Sequence, residues 1–474
     1  METSAWAANR DIVLDTENIN EPEVLFVRGN EELRRDNFTG AISVYDRVIS
    51  LRPDADGAFL NRGYAKHQMG ELANAIADYD RAIALHPNDS DTFFYRGFAK
   101  HALHDHTGAI ADFDRTIDLR PEDACTFFNR DNAKDCLGEF KAAIADYDRA
   151  IDLDPLYSDA FFNRGLARKS LGDFHAAMVD VDRAIDLNPG DPDAFNIRGC
   201  IKESLRDFHG AMADYDQAIA IAQNHFDALL NRANLKVKNL DYPGAIVDFN
   251  RAIDVDPDRA ITFLDRGRAK TRAGDFVGAI EDCNRAILLE PGNSSAFNLR
   301  GTANHDMGNY VGAITYYSLA IALRPDFDRA YCNRANSRLS NGDPEGALLD
   351  CDRYIALNPG DFYRYYKRAI ARHTLGDRVG AIADLDSAIA LKPDRAYLFN
   401  RRGLYRVGQG DLPAALADFD QAIFLRPKLI PAYENRANCR QALNDVSGAA
   451  ADNNSAAMLM TAQMVPSPGT SLPP

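Results

Sequence analysis

The sequence predicts an all-α solenoid, and three observations carry that reading. Prolines fall at 53, 87, 121, 155, 189, 257, 291, 325, 359, 393 and 427, every gap being 34 residues or a multiple of it. The phrase Ala-Ile-Ala-Asp-Tyr-Asp-Arg-Ala-Ile at 75–83 returns letter for letter at 143–151. Apolar residues within each repeat follow helical spacing, as in Ala143, Ile144, Tyr147, Ala150 and Ile151. A 34-residue piece buries too little apolar surface to fold alone, so neighbouring repeats must stack into a shared core.

With proline at place 32, thirteen repeats start at 22, 56, 90, 124, 158, 192, 226, 260, 294, 328, 362, 396 and 430 and fill residues 22–463. Residues 1–21 remain as an N-terminal tail. Residues 464–474, with Pro466, Pro468, Pro473 and Pro474, are expected to be a disordered C-terminal tail. The first helix of each repeat is expected over places 2–14, carrying an aromatic at place 4 in Phe59, Phe93, Phe127 and Phe161. A Gly-Asp or Gly-Glu turn follows, as at Gly70, Gly138 and Gly172. The second helix has alanine at place 20 in all thirteen repeats, which close packing of paired helices requires. Proline then stops the helix because it cannot continue it.

Two places break the pattern. Gln223 stands where the sixth repeat should have its proline, so a different junction is expected there. The last second helix has Asn453 in place of the aromatic, followed by Met458, Leu459, Met460 and Met464. That end is expected to cover the last repeat or to pair with another chain.

Composition narrows the function. Against 54 Lys and Arg stand 70 Asp and Glu, a net charge of −16, which argues against binding a phosphate backbone. No stretch approaches the roughly 20 apolar residues of a membrane span. The start, Met-Glu-Thr-Ser-Ala-Trp, has neither the basic nor the apolar region of a signal peptide. Seven cysteines never form C-x-x-C, which favours a reduced, cytoplasmic setting.

The pattern resembles the tetratricopeptide repeat, which has an aromatic at place 4, Gly at 8, Ala at 20, an aromatic at 24 and Pro at 32. Eleven repeats keep the proline, and eight keep the glycine: 29, 63, 97, 165, 199, 267, 301 and 403. The resemblance implies a right-handed superhelix of helix-turn-helix repeats, without catalysis or cofactor. Its concave groove would hold an extended protein segment, the chain serving as a scaffold or adaptor. A self-associating structural scaffold and a regulatory subunit of a separate enzyme remain as rivals.

The chain departs from the family pattern in two ways. Place 7, usually Leu, is Arg in every repeat, and place 11 is Lys or Arg in eleven. With Asp at place 23 and often at 25, the expected arrangement is a structural ladder of buried arginine stems and paired carboxylates. The ninth repeat has Tyr316 and Ser318 at the acid places, so Arg300 or Arg334 should point elsewhere.

The second departure is asparagine recurring at 102-residue spacing, three repeats apart. It occupies place 9 at 30, 132, 234, 336 and 438, place 5 at 196, 298 and 400, and place 6 at 129, 231, 333 and 435. This period points to a copied triplet of repeats. Places 2, 5, 9 and 12 share one helix stripe, which in the family faces the groove, and place 6 lies at its edge. Stacking should bring Asn196 near Asn231 and Asn234, Asn298 near Asn333 and Asn336, and Asn400 near Asn435 and Asn438. Such amides can pair with peptide N–H and C=O whatever the peptide's side chains. In the N-terminal half, Tyr64, Phe94, Phe98, Phe128 and Phe162 are the candidate aromatic contacts.

The carboxylate clamp of chaperone-binding members needs Lys at place 5, and no repeat has one. There is no phosphate loop, G-x-S-x-G or H-E-x-x-H. His101, His104 and His106 cluster, but the sequence offers no Cys or Glu at ligand spacing, so no metal is expected. The expected partner is a protein or peptide, with self-association through the C-terminal repeat as a second possibility, and neither nucleic acid nor membrane.

Overall fold

The computed structural model describes residues 21–464, so both terminal-tail expectations lie almost wholly outside the described residues. The described residues form 26 helices and no strand, an all-α repeat solenoid. The chain divides between Arg232 and Ala233 into two compact parts. The N-terminal part runs from the helix Glu21–Arg34 through Phe208–Ile221 and into Phe226–Lys238. The C-terminal part takes up that helix and ends with Val446–Met464.

Each repeat is an antiparallel hairpin whose turn is fixed by two residues. Place 15 is left-handed in all thirteen repeats: glycine in eight, such as Gly172 at φ +81°, and Asp36, His104, Arg206, Leu240 and Asn444 in the others. The next residue is usually Asp or Asn, and its carboxylate or amide oxygen caps the second helix. Asp207, for example, accepts from the Gly210 N–H at 2.9 Å. The second helices are 14 residues long, as in Leu72–Leu85, except the last, which has 19.

The core of a repeat lies between its two helices. The alanines at place 20 are at most 3% exposed, which lets the helix backbones approach closely. The glycine at place 8 sits under the side chain at place 24. A Cβ on Gly199 would lie 2.6 Å from the Tyr215 ring, so only hydrogen fits without a shift. Further contacts link the repeats: Phe59, Tyr79 and Tyr95, from the second and third repeats, share one apolar cluster.

The proline missing at Gln223 does not lengthen its helix, which still ends at Ile221 with Ala222 as its cap. His225 secures the next start. Its Nδ1 accepts the Ala228 N–H at 3.1 Å, and its Nε2 lies 3.0 Å from Asp193 Oδ1. At the C-terminus the methionine-rich segment continues the last helix, leaving Met458 73% exposed.

Candidate functional site

The arginines of place 7 are the most regular polar feature, and they are held internally. Arg96 donates through Nε and Nη2 to Asp112 of its own repeat at 2.9 and 2.5 Å. Its Nη1 reaches back to Asp80 of the preceding repeat at 2.6 Å. Lys100, at place 11, adds a second cation to Asp112 at 2.7 Å. Burial works against the Arg96 charge, but Asp112 and Asp80 outweigh it and raise its pKa. The guanidinium also lies 5.4 Å from the centroid of the Phe93 ring. The same double pairing recurs at Arg62, Arg130, Arg164 and Arg198, and at Arg368, Arg402 and Arg436 in the C-terminal part. These cations form a structural ladder of arginines paired with internal carboxylates.

Arg300 of the ninth repeat and Arg334 of the tenth both still face the ninth repeat's altered acid places, contrary to the expected displacement. Arg300 lies over the Tyr316 ring at 4.1 Å, exchanging an ion pair for a cation–π contact. Arg334 keeps its bond to Asp350 and uses Ser318 Oγ, at 2.8 Å, where other repeats supply a carboxylate.

The asparagines form bridges between successive repeats. Asn231 Nδ2 donates to Asn196 Oδ1 at 3.0 Å, Asn333 to Asn298 at 3.1 Å, and Asn435 to Asn400 at 3.0 Å. Elsewhere the place-6 amide chooses the place-9 oxygen instead: Asn61 donates to Asn30 at 2.9 Å and Asn163 to Asn132 at 3.1 Å. Those oxygens also accept the hydroxyls of Tyr45 and Tyr147. Asn196 is buried, whereas Asn231, Asn298, Asn333, Asn400 and Asn435 are half-buried. The remaining place-9 residues differ: Asn234 is half-buried, Asn336 keeps its Oδ1 buried with no partner, and Asn438 is exposed.

The candidate aromatics divide by what they touch. Phe94 packs against Tyr95 and Phe113, and Phe128 against Tyr147 and Tyr157, with Tyr64 edge-on to Tyr95. The Phe94 and Phe128 ring contacts lie within one repeat, whereas Tyr64–Tyr95 joins the second repeat to the third. Phe162 is half-buried. Phe98 is exposed, stacked on His67 at 5.4 Å.

Sequence spacing also missed one grouping. His101 at the end of Ser90–Ala102, His106 at the start of His106–Leu119 and Cys136 at the end of Ala124–Cys136 converge, their possible ligand atoms all within 4.8 Å of one another. Cys136 belongs to the next repeat, so only stacking brings it in. Burial, with His106 and His104 nearby, lowers the His101 pKa.

A repeated hairpin with left-handed place 15, small residues at places 8 and 20 and this helix register defines the tetratricopeptide class. The tetratricopeptide repeat profile matches residues 26–90, 68–124, 230–296, 264–326, 298–362 and 366–430, and related profiles cover 137–172, 158–191 and 192–225. The chain belongs to the tetratricopeptide repeat family, whose folds are generally protein–protein interaction scaffolds and typically non-enzymatic.

No curated protein matches by sequence. Among solved structures, the Cut9–Hcn1 hetero-tetramer of APC/C is similar at 14% identity and TM-score 0.46, over 89% of this chain and 96% of that one. Yeast Tom70 is similar at 17% identity and TM-score 0.40, over 91% and 96%. YrrB, described as a TPR protein with an unusual peptide-binding site, is 22% identical with TM-score 0.33 over 39% and 95%. At these scores they do not bear on what this chain binds. No described helix is long and apolar enough to cross a membrane.

Proposed function

We propose that the chain is a non-enzymatic adaptor that binds an extended protein segment along the first-helix stripe, through amide contacts to the segment's backbone. The observation that supports this reading is the spare valence of the half-buried amide bridges. A pair of asparagines offers four N–H donors and two carbonyl oxygens. The Asn298–Asn333 and Asn400–Asn435 bridges each use one donor and one acceptor. The bridge fixes the orientation of both amides, so the remaining donors and acceptor are presented without further ordering cost. Exposed Phe98 supplies an apolar contact in the N-terminal part.

Peptides selected on the full chain from a random display library test this. Their affinity, read by fluorescence anisotropy, should fall about tenfold or more when Asn298 and Asn400 are replaced by Ala. Unchanged affinity in a variant with native circular dichroism removes the amide mechanism. A second reading, self-association through the last repeat, is favoured by the extended final helix and exposed Met458 and Met460. Light scattering on chains ending at Ala457 should then show loss of assembly, while equal masses with and without the segment exclude it.

A further inference from the structure

We propose that His101, His106 and Cys136 form a zinc site that ties the third repeat to the fourth. The three side chains come from three successive helices, and only the stacking of one hairpin on the next assembles them. Their donor set is two imidazole nitrogens and a sulfur, borderline-to-soft ligands that suit Zn²⁺ and disfavour Mg²⁺ or Ca²⁺.

The geometry is close to what the ion needs. Zn–N bonds of about 2.0–2.1 Å and Zn–S of about 2.3 Å place tetrahedral donors roughly 3.3–3.6 Å apart. His101 Nδ1 and His106 Nδ1 already stand 3.2 Å from each other. The widest separation in the group is within 4.8 Å, so a contraction of about 1 Å completes the triad. Cys136 can supply it, because it is exposed at a helix end and its Sγ turns about one bond. The two histidines are half-buried on either side of the tight turn at His104 and Asp105, which limits how far they can separate.

Water would complete the coordination as fourth ligand; the His104 ring lies 5.9 Å from that of His106. Binding forms two Zn–N bonds and one Zn–S bond. The Cys136 thiol loses its proton to solvent, and any proton on a coordinating Nδ1 moves to Nε2, so one proton is released for each ion bound. Spacing along the chain gives no sign of this site, because Cys136 is 30 residues beyond His106.

Co²⁺ added to the full, untagged, reduced chain is the probe. A thiolate ligand gives Co²⁺ a near-ultraviolet charge-transfer band, and tetrahedral geometry gives intense visible absorption. The expected result is both bands saturating at one ion per chain and abolished by one equivalent of Zn²⁺. Cys136→Ser should remove the charge-transfer band, and His101→Asn should weaken Zn²⁺ binding at least tenfold. His67→Asn, at the same place one repeat earlier, should leave both unchanged. Zn²⁺ should also raise the melting temperature of the native chain but not of Cys136→Ser. Absence of the charge-transfer band in the native chain overturns the proposal, as does native-like Zn²⁺ affinity in folded Cys136→Ser and His101→Asn.

Discussion

Asp112 holds two cations at once, Arg96 and Lys100, and is itself buried. Removing it by Asp112→Ala leaves both cations short of a partner, and chemical denaturation should show a loss of about 3–5 kcal/mol. Asp80, the outer partner of the same arginine, is 57% exposed, and Asp80→Ala should cost under about 1 kcal/mol. Asp131 presents the opposite case. It occupies place 8, where eight repeats have glycine, and burial, aided by the nearby Asp146 charge, pushes its pKa from 3.8 up to about 11. A folded-state pKa above the unfolded value means the stabilising contribution is full below about 3.8 and is lost as pH rises towards 11. Asp131→Asn should therefore melt higher than the native chain at pH 8, and the gap should shrink on approaching pH 4. A pH-independent gap would show that Asp131 is ionised in the fold. Nothing in the letters around residue 131 announces this raised pKa, which comes first from burial and then from Asp146, fifteen residues on.

Helix by helix, the sequence locates the hairpins well because proline, alanine and the aromatic places are read directly from steric need. From the second repeat on, the first helices begin at place 1 rather than 2, as in Asp56–Gln68, a boundary set by fraying and capping that periodicity does not resolve. At the sixth junction the helix still ends at Ile221 without the proline, and His225 caps the helix that follows. Leu240 is left-handed at φ +64° and 71% exposed, so Leu240→Gly should raise stability by about 1 kcal/mol, visible as a higher midpoint in urea. Gly199→Ala acts in reverse: its methyl would meet the Tyr215 ring, and a loss of about 1–3 kcal/mol is expected by the same measurement.

Across the whole molecule, the asparagine places are legible as a period, and so is the nearness of Asn196 to Asn231, Asn298 to Asn333 and Asn400 to Asn435; the pairing of Asn61 with Asn30 and of Asn163 with Asn132 is not. Period reveals which residues are equivalent, whereas the choice between a place-5 and a place-9 oxygen depends on which neighbour carries an amide. The clustering of His101 and His106 with Cys136 was hidden for the same reason, since it exists only between stacked repeats. Nearest-neighbour contacts of this kind should make unfolding incompletely cooperative. Urea unfolding followed by circular dichroism should give an apparent slope well below that expected for a two-state chain of 474 residues, while a single steep transition with the full slope would refute local unfolding.

The ladder and the bridges also respond differently to genetic rearrangement. Most rungs join an arginine to an acid of its own repeat and to one in the repeat before, so an unequal crossover displaced by 34 residues would preserve them. The bridges in which Asn231, Asn333 and Asn435 meet Asn196, Asn298 and Asn400 survive intact only when the displacement is 102. Arrays of this lineage can therefore lengthen one hairpin at a time without losing their electrostatic spine, but they keep their amide register only when they grow by threes.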